Sequence, residues 1–174
     1  MAASEIYIGT PSGILVCVDA CSGQRIKGRF YHLYSKEPAA FENEDQLLFG
    51  MEELFDSIHF PHPGNTVRSF AEPKKKARNE GSEAEKQLRI NGRNTKREKV
   101  MDDQELLNKH GDLGSFIVRV QHRQNSSMQG KVTWVEENKT VFFRSAWELI
   151  RLIDSALETV VEEKEGEDNL PSWE

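Results

Sequence analysis

Within residues 116–135, three basic side chains and several amides stand close together, and their types suit anion recognition. Strand alternation places Phe116, Val118, Val120, Val132 and Trp134 on one face of a hairpin. The opposite face then presents Ile117, Arg119, Gln121, Arg123, Lys131, Thr133 and Val135, with Gln124, Asn125 and Gln129 near the connecting loop. Arginine offers a planar fork of donors matched to phosphate or carboxylate, and amides can read base or peptide edges. A solvated hairpin face whose charges discourage edge pairing has the same composition, so the pattern alone leaves both readings open.

Two further charged sets could act on a partner. Lys74, Lys75, Lys76 and Arg78 could bind nucleic acid by counterion release. No aromatic residue interleaves them to stack on bases, and a solvated linker or a nuclear import signal would look alike. Glu42, Glu44, Asp45, Glu52, Glu53 and Asp56 form an acidic face that could compete with DNA for a basic channel.

Catalytic and metal signatures are missing from the sequence. Cys17, Cys21, His59 and His62 form Cys-x3-Cys and His-x2-His pairs, but neither spacing nor turn residues make a zinc knuckle. The two cysteines, along one strand, are poorly placed to bridge and are expected as free thiols. The glycines are spread as turn residues, and no nucleophile elbow, phosphate loop or dinucleotide fingerprint is present. The expectation is a non-enzyme that needs no cofactor and no metal.

The elements that position these residues follow from a hidden repeat. Shifting the chain by 102 positions aligns Ile14–Ile58 with Phe116–Val160 without a gap. Each copy opens on an alternating strand (Ile14, Val16, Val18; Phe116, Val118, Val120), passes a polar loop, and returns in a second strand. The core face of that second strand is Phe30 and His32 in one copy, Val132 and Trp134 in the other, and a short segment then ends at Phe41 or Phe143. A helix follows, announced by Asn43 with Gln46 or by Ser145 with Glu148, a capping-box spacing. The stripe Leu47, Leu48, Met51, Leu54, Phe55, Ile58 falls on Leu149, Ile150, Ile153, Ala156, Leu157, Val160.

This pattern predicts an α+β fold of two pseudo-symmetric ββ(β)α units packed together, an antiparallel sheet with two amphipathic helices. One such unit has too little core to stand comfortably alone. The boundaries expected are a first unit over 1–60, a loop and flexible charged insert over 61–113, a second unit over 114–161 and a disordered acidic tail over 162–174. "DDQELLNK" from Asp102 is expected to form one short helix within the insert.

Charge follows this division. The net charge of −6 conceals a basic segment, residues 72–99, with ten Lys or Arg against five acids, so the remainder is strongly acidic. Apolar runs are too short to span a membrane and no secretory leader is read, which makes the cytoplasm the expected compartment.

The block "VRVQHRQNSSMQGKVTWVEENKTVFFRSAWELIRLIDSAL" is similar to small proteins of unassigned function from gut Clostridia and their mobile elements. That resemblance covers about a quarter of the chain and implies a bacterial or phage-borne protein. In character, with acidic patches, a basic arm and no catalytic set, the chain resembles Cas9-inhibiting anti-CRISPR proteins. The expected function is a non-enzymatic binding protein that engages a nucleic-acid machine, with guide-loaded Cas9, DNA or RNA as candidate partners. A regulatory protein–protein interaction domain without nucleic-acid binding is the alternative.

Overall fold

Asn43 and Ser145 begin the two long helices as their spacing predicts. Gln46 N–H donates to Asn43 Oδ1 at 2.9 Å while Glu42 N–H donates to Gln46 Oε1 at 2.8 Å. At the second helix Glu148 N–H donates to Ser145 Oγ at 3.1 Å and Arg144 N–H donates to Glu148 Oε2 at 2.7 Å. Each exchange satisfies one first-turn donor that would otherwise lack an intrahelical acceptor and ties the residue before the cap to the helix. The hydrogen bond from Arg144 N–H also holds the Glu148 carboxyl below its usual range.

The computed structural model describes residues 6, 8–23, 25–64, 70, 98–124 and 127–168. The elements are β1 (Gly13–Ser22), β2 (Arg25–His32), β3 (Ala39–Phe41), α1 (Glu44–Ile58), α2 (Asp103–Leu107), β4 (Gly114–Gln124), β5 (Ser127–Trp134), β6 (Lys139–Phe143) and α3 (Ala146–Asp168). The fold is α+β, with one six-stranded antiparallel sheet in the order β3-β2-β1-β4-β5-β6.

The first strands of the two halves meet at the centre of the sheet. Ile14 pairs with Val118, Leu15 with Ile117 and Val16 with Phe116. Both central strands carry a bulge, between Val18 and Ala20 in β1 and between Val120 and His122 in β4. A bulge adds a residue to one strand and turns the following side chains to the other face. Gly28 and Gly130 sit opposite the bulges, where a Cβ would collide with the carbonyl oxygen of Cys17 or Arg119.

Helices α1 and α3 cover one face of the sheet. Ile14, Val16, Val18, Phe116, Val118 and Val120 are buried there against Leu47, Met51, Phe55, Leu149, Ile153 and Leu157. Full burial of an aliphatic or aromatic side chain stabilises by roughly 1.5–3 kcal/mol, so this layer dominates the energetics.

The reverse face is covered over the central strands, while on the hairpin Arg119 and Lys131 are half-buried and Gln121 and Gln129 exposed. Ile8, Leu15, Cys17, Tyr31, Leu33, Met101, Leu106 and Ile117 form a second buried cluster. The N–H groups of Val100 and Met101 both donate to Leu33 O, at 2.8 and 3.1 Å, and α2 follows at the position expected for a short helix. The part of the insert after residue 97 is therefore packed structure, because Met101 and Leu106 give it apolar contacts. Burial pushes the Cys17 thiol up to about 12, which leaves it unreactive at neutral pH. Cys21 is exposed, and both thiols are free.

Helix α3 runs to Asp168, seven residues beyond the point where a disordered tail was expected. Glu and Lys after Val161 are good helix formers and extend an already nucleated helix. Among the described residues no helix is long and apolar enough to cross a membrane.

Candidate functional site

The bulge in β4 decides the fate of the expected basic surface. Up to Val120 the alternation is as the sequence predicts, and Arg119 lies on the face opposite the long helices. Gln121 takes the extra position and is exposed, so Arg123 turns to the helix side. Only 7% of Arg123 remains accessible. Its Nε donates to Pro61 O at 2.8 Å, its Nη1 donates to Asp56 Oδ1 at 2.7 Å, and its guanidinium lies 5.6 Å from the Phe55 ring centroid. The expectation that Arg123 presents its charge on the outer face is thus corrected: it latches the β4–β5 hairpin onto the end of α1.

The remaining members of the basic set are scattered in role. Arg119 is half-buried, and its Nε donates to Ile8 O at 3.0 Å. Lys131 is half-buried with its Nζ 4.7 Å from the Phe142 ring centroid, a cation–π contact. Gln121, Gln124 and Gln129 are exposed. Asn125, Lys74, Lys75, Lys76 and Arg78 lie outside the described residues.

The acidic set divides into two groups. Glu44 Oε1 accepts from Ile26 N–H at 2.8 Å, Glu42 pairs with Lys27 at 3.0 Å, and Asp56 is held by Arg123. The Lys27–Glu42 pair is well exposed on both sides and contributes at most about 1 kcal/mol. Asp45, Glu52 and Glu53 form no ion pair among the described residues.

Those three acids share their side of α1 with Phe49, which is 71% exposed. At 100° per residue, positions 45, 49, 52, 53 and 56 fall within an arc of about 100°. Leu47, Met51 and Leu54 occupy the opposite, buried side. The helix contains five acids and no basic residue, so its outer face presents a phenyl ring in a negative field. The sequence carried this signal, since Phe49 breaks the apolar stripe by falling among the polar positions.

Two crevices flank the sheet beneath the long helices. One, of about 320 Å³, lies between Val132, Trp134 and Val141 on the strands and Leu152, Ala156 and Thr159 on α3. The other, of about 340 Å³, lies between Phe30, His32 and Ala39 and the α1 residues Gly50, Leu54 and Ser57. Glu53 also lines the second one and Lys139 the first, so the two crevices carry opposite charges at their rims.

No family model, no curated protein and no solved structure matches this chain.

Proposed function

We propose that this chain is a non-enzymatic binding protein whose α1 outer face engages a basic surface on a protein that handles nucleic acid. The observation that carries the reading is Phe49, exposed between Asp45 and Glu52/Glu53 on a helix without a single basic residue. An aromatic anchor ringed by carboxylates suits a cationic groove: the ring supplies buried contact area, and the charges supply steering and register. Internal tethering of Arg119 and Arg123 favours the acidic face over the hairpin as the contact surface, with the partner supplying the positive charge.

The frame that presents this face is proposed to be two ββ(β)α units related by an approximate two-fold axis. Support comes from features recurring 102 positions apart: the strand bulges, the glycines opposite them, the two capping exchanges and the crevices. Under that shift the β1–β4 pairing is its own image, with Leu15 and Ile117 on the axis. Guide-loaded Cas9 is the specific partner class proposed, together with the mobile-element origin that the sequence resemblance implies.

The test is binding of the full chain to guide-loaded Cas9 and, separately, to labelled single- and double-stranded DNA, at low and moderate salt. The expected outcome is a salt-sensitive complex with the nucleoprotein, arrest of cleavage at stoichiometric amounts, no loss of guide RNA, and no binding to free DNA. Phe49→Ala combined with Glu52→Lys and Glu53→Lys is expected to abolish the complex. Direct DNA binding that Arg119→Glu removes and the α1 variant leaves intact would overturn the acidic-face reading.

A further inference from the structure

The two edges of the sheet are not equally protected. β3 is three residues long, begins just after Pro38 and carries two alanines, features that blunt an edge. β6 is five residues long, four of them exposed, and pairs with β5 alone. Val141 and Phe142 stand out on it, and Trp147 follows on the first turn of α3. Phe142 is 63% exposed and Trp147 71%. An edge strand with apolar side chains on both faces is a template for another strand.

We infer that β6 pairs antiparallel with β6 of a second copy of this chain, joining two sheets across a two-fold axis at Val141. Charge selects this occupant. Glu136 and Glu137 precede the strand, Lys139 opens it and Arg144 follows it, so antiparallel self-pairing carries an end of net charge −1 in each copy to the Arg144 end of the other, twice by symmetry. Centring on Val141 uses all five strand residues and opposes Thr140 to Phe142. The intramolecular pairs that now engage these groups are long, Lys139–Glu137 at 4.0 Å and Arg144–Glu148 at 3.5 Å, and of the four side chains only Glu148 is half-buried, so they exchange for intermolecular ones. The contact is isologous, and β3 is too short and too blunt to propagate it, so the assembly closes as a dimer. This inference uses the second half of the sheet and does not depend on the role given to α1.

Sedimentation velocity of the full chain over a concentration series tests it. The expected result is a reversible monomer–dimer equilibrium that Val141→Lys abolishes. Arg144→Glu weakens the dimer about a hundredfold, about tenfold for each of the two symmetric like-charge contacts, and adding Glu137→Arg in the same chain restores it. All three positions are exposed, and circular dichroism checks that each variant is folded. A chain that stays monomeric at its highest soluble concentration would overturn the proposal. So would a dimer that survives Val141→Lys, or one that the charge exchange fails to restore.

Discussion

Cys21 and Arg123 occupy the same place in the two central strands, the position opposite a buried Ile26 or Met128 beyond the bulge, yet they do opposite things. Arg123 is buried and ties its hairpin to Asp56 and Pro61. Cys21 is exposed, with a thiol raised by partial burial and by the carboxylates of Asp154, Glu44 and Glu158. One end of the molecule is latched by a buried cation, and at the other Arg151 acts on Asp154 without outweighing burial and the neighbouring acids. The same division appears on the helices, where α1 presents Phe49 among carboxylates and α3 places Arg151 at the matching position. The backbone frame is shared, and the two halves are distinguished by what each places at equivalent points.

The comparison breaks most severely at the glycines opposite the bulges. Gly28→Ala and Gly130→Ala each force a methyl group into a neighbouring strand's backbone, and each is expected to cost roughly 3 kcal/mol or more. Urea denaturation midpoints measure the loss. Similar losses in the two variants would show that both halves need the same bulge geometry, and a tolerated substitution in one half would dissolve the parallel.

A smaller effect separates the latched end from the open one. Arg123→Ala removes two hydrogen bonds and the packing on Phe55 and is expected to destabilise by about 2 kcal/mol, whereas Cys21→Ala stays within about 0.5 kcal/mol. Cys21→Arg brings a guanidinium towards Asp154 and Glu158, and a gain of no more than about 1 kcal/mol is expected in the same assay.

The smallest effect is a pH dependence. Burial, then Glu44 and Glu158, raises the Asp154 carboxyl above its ordinary value. The folded state therefore holds this proton more tightly than the unfolded chain. The associated stability is present below the ordinary aspartate pKa and is lost as pH rises through the folded value. Asp154→Asn is expected to raise the melting temperature slightly at pH 7 and to leave it unchanged near pH 3, as followed by circular dichroism.

Much of this architecture was legible in the residues themselves. Asn43 and Ser145 cap where their spacing with Gln46 and Glu148 says they should, and every stripe position of both helices except the half-buried Val160 faces the core or its margin. Phe49 could have been singled out, because it sits among acids on the wrong side of a helical wheel. Arg123 could not: alternation assigned it to the outer face, and only the bulge at Gln121 moves it. Val141 and Phe142 read as ordinary strand residues until the strand order puts β6 at an edge.

What the sequence determined by itself was local: strands, caps, stripes and the charge of each segment, all set by interactions within a few residues. The tertiary structure decided which strands meet, where the ladder slips by a residue, and which covering segment closes the second face. Those outcomes depend on backbone pairing between residues about a hundred positions apart, such as Leu15 with Ile117, and on the burial that follows from it. Facing and exposure are properties of the assembled sheet, so the roles of Arg123, Val141 and Phe142 emerge only there.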